Sequence, residues 1–416
     1  VIVMALYAVG KYTPFFALIY EVPGVDLYRR PADATFPLAA LLAICGGYGV
    51  HVLLNNRPAF RWSMALGLII ALFGACIAVA VWKERLAQAT LPLMIGAASL
   101  AAALILLALL PRWMKRAPLI ALCGIGLVMV VDLAVSNKPN ESTAASPDAY
   151  NVLRFGSENE TLALIRRELA KTSAPDRRDR VELAAVDYNW PNAGLVHGFD
   201  HDLGFNPIRM KLYADATNAQ DQIAVPEQRT FSPLYAGFKS PLADLMGVRL
   251  ILSRYPLERM DPGFNPKDFV SLGQTKDAYV WQNPRALPRV MMVGSAQAAD
   301  FDAMIKSGNW PQIDFTQTVL LSAADSKDVT QRPSGTARLI SYRNTIIEVE
   351  VISPQGGYLV LNDLWHPWWR AELDGKQVPL LRANVMFRAV AVEAGTHRIR
   401  FSFHPLQGLL RELRAR

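Results

Sequence analysis

The sequence predicts an α-helical transmembrane bundle followed by an extracytoplasmic α/β module and a C-terminal β-sandwich. Three observations lead there. Long apolar runs with few charges extend to residue 136. Mixed helical and strand periodicities fill residues 137–335, and from residue 336 only strand-length patterns remain before a basic tail. At 52% hydrophobic and 19% charged residues, the chain is too apolar for an ordinary soluble enzyme and too polar to be membrane throughout.

Four stretches, 35–55, 63–81, 89–111 and 117–136, are long enough to cross about 30 Å of hydrocarbon as helices. Trp62, Trp82 and Trp113 lie at their edges, where an amphipathic indole sits best. Asp132 lies about one turn from the end of the last stretch, within reach of the interface, and is read as structural. The otherwise uncharged spans argue against proton-coupled transport. The run from Val1 to Leu6 has neither an initiator Met nor a basic n-region. It is expected to be the remainder of a transmembrane helix rather than a signal peptide. Cys45, Cys76 and Cys123 all fall in apolar runs, where they act as small hydrophobes, and the polar portion has no cysteine for a disulfide.

Basic residues orient the bundle. Arg57, Arg61, Arg112, Lys115 and Arg116 lie in the first and third connections, against Lys83 and Arg85 in the second. Positive charge in short loops favours the cytoplasm. The expectation is therefore a multi-pass protein of the inner (plasma) membrane with its polar portion outside the cytoplasm. The net charge of +7 is not gathered into a run suited to nucleic acid; the lipid bilayer is the expected partner.

Residues 137–148 read as a polar linker, and 158–171 have helical apolar spacing. Strand-like runs follow at 181–185, 249–253, 278–281 and 289–293, with a short helix at 242–246. Beyond residue 336, strands are expected at 337–342, 345–352, 357–363, 369–373, 387–392 and 397–403. Asp374-Gly375 is a hairpin signal, because both residues tolerate positive φ.

Three groups of side chains are candidates for function. Lys11, Tyr12, Arg29, Arg30 and Asp33 would cluster at the outer membrane surface. There, guanidinium groups either grip the phosphate of a lipid-linked donor or interact with headgroups. His197, Asp200, His201 and Asp202 superficially resemble a metal constellation, but Gly198 argues for a loop, so no metal site is assigned. A divalent cation is the only cofactor the pattern leaves open. Trp365, His366, Trp368 and Trp369 could stack on sugar rings, yet strand alternation points Trp368 and Trp369 in opposite directions. One of the two then belongs to the core. No phosphate-cradling glycine loop and no nucleophile–base arrangement stands out.

Several segments carry a resemblance to a known family: Gly10-Lys11-Tyr12-Thr13-Pro14; Tyr28-Arg29-Arg30-Pro31; His197-Gly198-Phe199 running into Gly204-Phe205-Asn206-Pro207; Leu245-Met246-Gly247-Val248-Arg249; Leu287-Pro288-Arg289; Phe387-Arg388-Ala389; and Ala394-Gly395-Thr396-His397. In order and spacing they resemble the YfhO-type bacterial membrane proteins, relatives of GT-C-type glycosyltransferases. The resemblance implies a polytopic enzyme that takes a sugar from a polyprenyl-phosphate carrier and passes it to a cell-envelope glycan or glycolipid. It assigns donor-phosphate binding to Lys11, Tyr12, Arg29, Arg30 and Asp33, although Asp33 stands where the family pattern has a second basic residue. His197, His201, Trp365, Trp368 and Trp369 are the candidate glycan-binding residues. The family's catalytic carboxylate lies in a loop not represented here, so no catalytic residue is assigned. The alternative is a non-catalytic, membrane-anchored carbohydrate-binding or envelope-assembly protein.

Overall fold

The structure, a computed structural model, describes residues 1–10, 14–21, 31–55, 62–136, 147–202, 210–219, 225–326 and 332–415. The chain forms two compact units, Val1–Ala144 and Ala145–Arg416.

The first unit is helical: α1 (Ile2–Val9), α2 (Pro14–Tyr20), α3 (Thr35–Asn55), α4 (Trp62–Trp82), α5 (Leu86–Arg116) and α6 (Pro118–Ser136). A helix satisfies every backbone group within itself, which suits these near-chargeless runs to hydrocarbon. Among the described residues, Thr35–Val52, Leu86–Arg116 and Pro118–Val135 are long and apolar enough to cross a membrane. These three helices mark the chain as a membrane protein. The described apolar part of α4, Gly67–Trp82, is shorter, so three of the four expected spans meet the requirement. Ile44, Leu68, Leu91 and Leu127 are among many exposed apolar side chains. At about 25 cal/mol per Å² of apolar surface, such exposure is tolerable only against an apolar medium. Contact within the unit uses small residues: a Cβ at Gly124 would lie 3.5 Å from both Leu106 and Trp113, so α6 sits close against α5.

The second unit opens with α7 (Glu160–Lys171), β1 (Arg180–Ala184), α8 (Ala193–His197), β2 (Asp200–His201), α9 (Lys211–Thr217), α10 (Pro241–Leu245), β3 (Val248–Ser253), β4 (Val270–Gln274) and β5 (Tyr279–Gln282). The five strands form one sheet in the order β2-β1-β3-β5-β4, parallel through β2, β1 and β3 and antiparallel beyond. Strand alternation sorts its two faces. Val181, Leu183, Leu250, Leu252 and Val280 cluster with Leu162 and Ile165 of α7, while Ala184, Ile251 and Trp281 join Leu242 and Leu245 of α10. The Asn159 side chain caps α7 by accepting from the Leu162 N–H at 3.1 Å.

The chain continues through β6 (Val290–Val293), β7 (Ser295–Ala298), α11 (Phe301–Ser307), β8 (Thr318–Leu321), β9 (Thr336–Tyr342), β10 (Ile346–Ser353), β11 (Gly357–Leu361), β12 (Trp369–Leu373), β13 (Lys376–Val378), β14 (Leu381–Ala383), β15 (Phe387–Val392), β16 (Gly395–Phe403) and α12 (Pro405–Ala415). Two further sheets result, β13-β12-β16-β10-β9 and β6-β11-β15-β14-β8-β7. Val349, Val351, Ile399 and Phe401 of the first share one apolar cluster with Val290, Leu359, Leu361 and Val390 of the second. The boundary expected between residues 335 and 336 is crossed by the six-stranded sheet, in which β6 pairs with β11 and β8 with β14. The two expected modules therefore share a hydrogen-bonded ladder. Asp374 and Gly375, at φ 49° and 79°, make the tight turn between β12 and β13.

The expected basic tail forms α12, whose Leu406, Leu409, Leu410 and Leu413 recur at helical spacing and are exposed. Its other side meets Trp368, whose indole N–H donates to Glu412 at 2.9 Å. A Cβ at Gly408 would come within 2.3 Å of the Trp368 ring. Gly408→Val should therefore dislodge α12. The expected outcome is tryptic cleavage after Arg411 and Arg414 accelerated about tenfold or more, since overpacking costs about 1–3 kcal/mol.

Candidate functional site

Strand register gathers seven charged or phenolic side chains from separate parts of the second unit. Parallel pairing puts Arg180, the first residue of β1, opposite Asp200, the first of β2. Arg178 lies two residues upstream of Arg180. Pairing of β6 with β11 sets Val290 against Leu361, so Arg289 and Asp363 follow at the ends of adjacent strands. Arg388 of β15 pairs with Leu361 from the other side, and Tyr342 closes β9.

Asp363 is the hub. One of its oxygens accepts from Arg180 Nη2 at 2.7 Å and Arg289 Nη1 at 2.9 Å; the other accepts from the Tyr342 hydroxyl at 2.8 Å and forms an ion pair with Arg388 Nη2 at 3.2 Å. Both carboxylate oxygens are thereby engaged. Burial alone would push its pKa up, but the Arg289, Arg388 and Arg180 guanidiniums hold it well below the usual carboxylate range. Burial and the neighbouring Asp363 carboxylate push the Tyr342 phenol up to about 12, so it donates as a neutral hydroxyl.

Asp200 forms a second centre. Arg178 grips it in a fork, Nε at 2.5 Å and Nη2 at 2.7 Å, and Arg289 Nη2 reaches it at 3.2 Å. Burial opposes ionisation of Asp200, but the Arg178 hydrogen bond and the nearby guanidiniums outweigh it and lower the pKa. Arg178 stacks its guanidinium 4.4 Å from the Tyr342 ring centre. Arg388 lies 4.0 Å over the Trp369 ring.

Over this network opens a cavity of about 630 Å³, whose walls include Arg178, Arg180, Asp200, His201, Arg289, Tyr342, Asn192, Asn344 and Phe199. His201 Nε2 pairs with the Pro191 carbonyl at 2.9 Å, and burial lowers the imidazole pKa. A neutral ring donating through Nε2 is the state that satisfies that carbonyl.

Along β1 from Arg180 lies a separate buried pair. Glu182 accepts from Arg229 Nε at 2.7 Å, and neither side chain is more than 1% exposed. The Arg229 guanidinium faces Phe231 at 4.3 Å and Tyr235 at 5.1 Å. Burial raises the Glu182 pKa, opposed by Arg229.

Of the residues singled out from sequence, Lys11, Tyr12, Arg29 and Arg30 lie outside the described residues. Asp33 sits exposed in a 3-10 turn, Pro31–Ala34, ahead of α3. His197 and His201 are parted by Gly198, whose left-handed backbone, φ 74°, ends α8 between them. His197 is held by Arg166 at 2.8 Å and the Val152 carbonyl at 2.7 Å, whereas His201 reaches the cavity. Among the described residues, no three His, Cys, Asp or Glu side chains converge on a point that could hold a metal.

The tryptophans make packing contacts away from this cavity. Trp369 packs against the core that the last two sheets share and against Phe403, ring centres 5.2 Å apart, and Trp368 packs against α12. Trp365 donates its backbone N–H to the Met386 carbonyl, and its buried indole nitrogen has no hydrogen-bond partner among the described residues. None of the three lines the cavity.

Sequence reasoning missed Arg178, Arg180, Asp363 and Tyr342, and noted Arg289 and Arg388 only within motifs. The available signal was a charge set in an apolar strand, as in Phe387-Arg388-Ala389-Val390. No family model matches the chain, and neither a curated protein nor a solved structure matches it.

Asp363→Asn leaves buried guanidiniums without their shared counter-charge and should destabilise the second unit by about 3–5 kcal/mol at neutral pH. Because the folded pKa of Asp363 is depressed, its contribution is full above the ordinary value of 3.8 and fades as pH falls below it. Thermal unfolding of wild type and variant should therefore differ by a constant gap from pH 7 down to about pH 4 and start to converge below it. A gap that closes already between pH 7 and about pH 4, or that does not narrow below pH 3.8, would contradict this.

Proposed function

We propose that the chain is part of an integral membrane glycosyltransferase of the cell envelope, with the cavity over Asp200 and Asp363 as the seat of its glycan acceptor. The cavity is the observation that carries this reading. Its volume falls within the roughly 300–1,000 Å³ typical of small-molecule sites. Its walls combine what sugars need: the Tyr342 and Phe199 rings for apolar ring faces, and Asn192, Asn344 and guanidinium donors for hydroxyl oxygens. Asp200, held by three hydrogen bonds from Arg178 and Arg289, serves to fix the donors in place.

In this reading the helices hold the protein in the inner (plasma) membrane, and the second unit lies outside the cytoplasm. The two carboxy-terminal sheets form a sandwich over their common core. A polyprenyl-phosphate sugar is the donor, its phosphate held by Lys11, Tyr12, Arg29, Arg30 and Asp33 at the outer surface. Guanidinium groups suit that task because they grip phosphate oxygens in pairs while the lipid tail stays in the bilayer. The acid or base of the transfer is not assigned to any residue of this chain.

The second reading, a non-catalytic carbohydrate-binding or envelope-assembly protein, is favoured by the same cavity, which needs no donor to be useful. Release of polyprenyl phosphate from a panel of polyprenyl-phosphate sugars, measured on the protein in nanodiscs with a glycan acceptor, separates the two. Arg29→Ala and Arg30→Ala should abolish release, and Asn344→Ala should raise the acceptor KM about tenfold, the worth of one net hydrogen bond of about 1.4 kcal/mol. Glycan binding without release for any donor would leave the binding-protein reading standing.

A further inference from the structure

The charges around the cavity do not balance. Arg178, Arg180, Arg289 and Arg388 form their ion pairs with two shared carboxylates, Asp200 and Asp363. Tyr342 and His201 are neutral, so in direct contact four guanidiniums share two carboxylates. The imbalance is held out of water: the Arg289 and Arg388 side chains are 1% and 3% exposed, and Arg180 is 15% exposed. Unpaired charge in such surroundings is costly, and it raises the attraction for any anion that enters.

The geometry supplies a place for that anion. Arg178 commits Nε and Nη2 to Asp200, leaving Nη1 without a hydrogen bond to another described residue. Its side chain is 40% exposed, on the cavity wall together with the amide of Asn344. Arg289 and Arg180 line the same cavity behind it. A carboxylate or phosphate oxygen at Arg178 Nη1 would gain a charge-assisted hydrogen bond and offset part of the excess.

We infer that the cavity binds a sugar that carries an anionic group, a carboxylate or a phosphate, seated against Arg178 and Asn344. Tyr342, Phe199 and the polar walls receive the ring, while the guanidinium excess selects the charge. The inference rests on the reading of the cavity as a glycan site but not on transferase activity.

Binding of glucose, glucuronate, glucose 6-phosphate and inorganic phosphate to the protein in nanodiscs, measured by calorimetry, tests it. Glucuronate, glucose 6-phosphate or both should bind at least about tenfold tighter than glucose, and which does so tells carboxylate from phosphate. Arg178→Gln should erase that preference. Asn344→Asp, a change at an exposed position that sets a carboxylate in the cavity wall, should erase it too while the fold is kept. Thermal unfolding of both variants checks the fold. Equal binding of glucose and its charged derivatives would overturn the charge selection and leave the glycan site. Inorganic phosphate binding as tightly as the sugar phosphate would support the anion seat and overturn sugar recognition. No binding of any probe would overturn both.

Discussion

Asp363 receives a partner from each of the three sheets of the second unit: Arg180 from the parallel-strand sheet, Tyr342 from the five-stranded antiparallel sheet, and Arg388 from the six-stranded one, with Arg289 entering at the head of β6. Each of these groups would be prohibitive to bury alone. Their mutual satisfaction is therefore possible in one arrangement of the sheets and in few others. Replacing such a cluster by apolar side chains is often neutral or stabilising in net energy. Its consequence here is positional: the ends of β1, β6, β9, β11 and β15 are drawn to one point.

That convergence makes the cavity. Arg180 and Asp200 stand opposite each other because β1 and β2 run parallel in that register, and Arg289 bridges the two carboxylates, reaching Asp363 through Nη1 and Asp200 through Nη2. A guanidinium with planar, fixed donors can span two acceptors in this way, which an ammonium could not do in the same geometry. The walls are thus preorganised by bonds that do not involve a ligand, and Arg178, whose Nη1 makes no hydrogen bond to another described residue, lines the cavity. The Glu182–Arg229 pair, enclosed by aromatic rings, is closed to solvent and belongs to the support of β1.

The first unit obeys different rules. Its helices leave Leu, Ile and Val exposed on their outer surfaces, and where they meet, Gly124 and Gly96 let neighbouring side chains approach. In hydrocarbon no hydrophobic force drives helices together, so close packing at small residues takes its place. The apolar face of α12 shows the same outward leucines on a much shorter helix.

The sequence by itself determined where the apolar helices lie, where most of the longer strands of the second unit lie, and that Asp374-Gly375 turns the chain. Each is set by local periodicity, charge content or backbone freedom over a few residues. The expected strands at 289–293, 357–363, 387–392 and 397–403 correspond to β6, β11, β15 and β16, displaced by two residues or fewer at most ends. Short elements with weak periodicity, β2, β4, β7, β8, β13, β14 and α11, were not legible, because strands of two to five residues and a two-turn helix carry too little pattern. Only the tertiary structure decided the candidate site. Arg178, Arg289, Tyr342 and Asp363 are separated by up to 185 residues, since Arg178 bonds Asp200 within 22 positions while Arg180 reaches Asp363 across 183. Their meeting depends on strand order and register across three sheets, and no local pattern encodes which buried arginine finds which carboxylate.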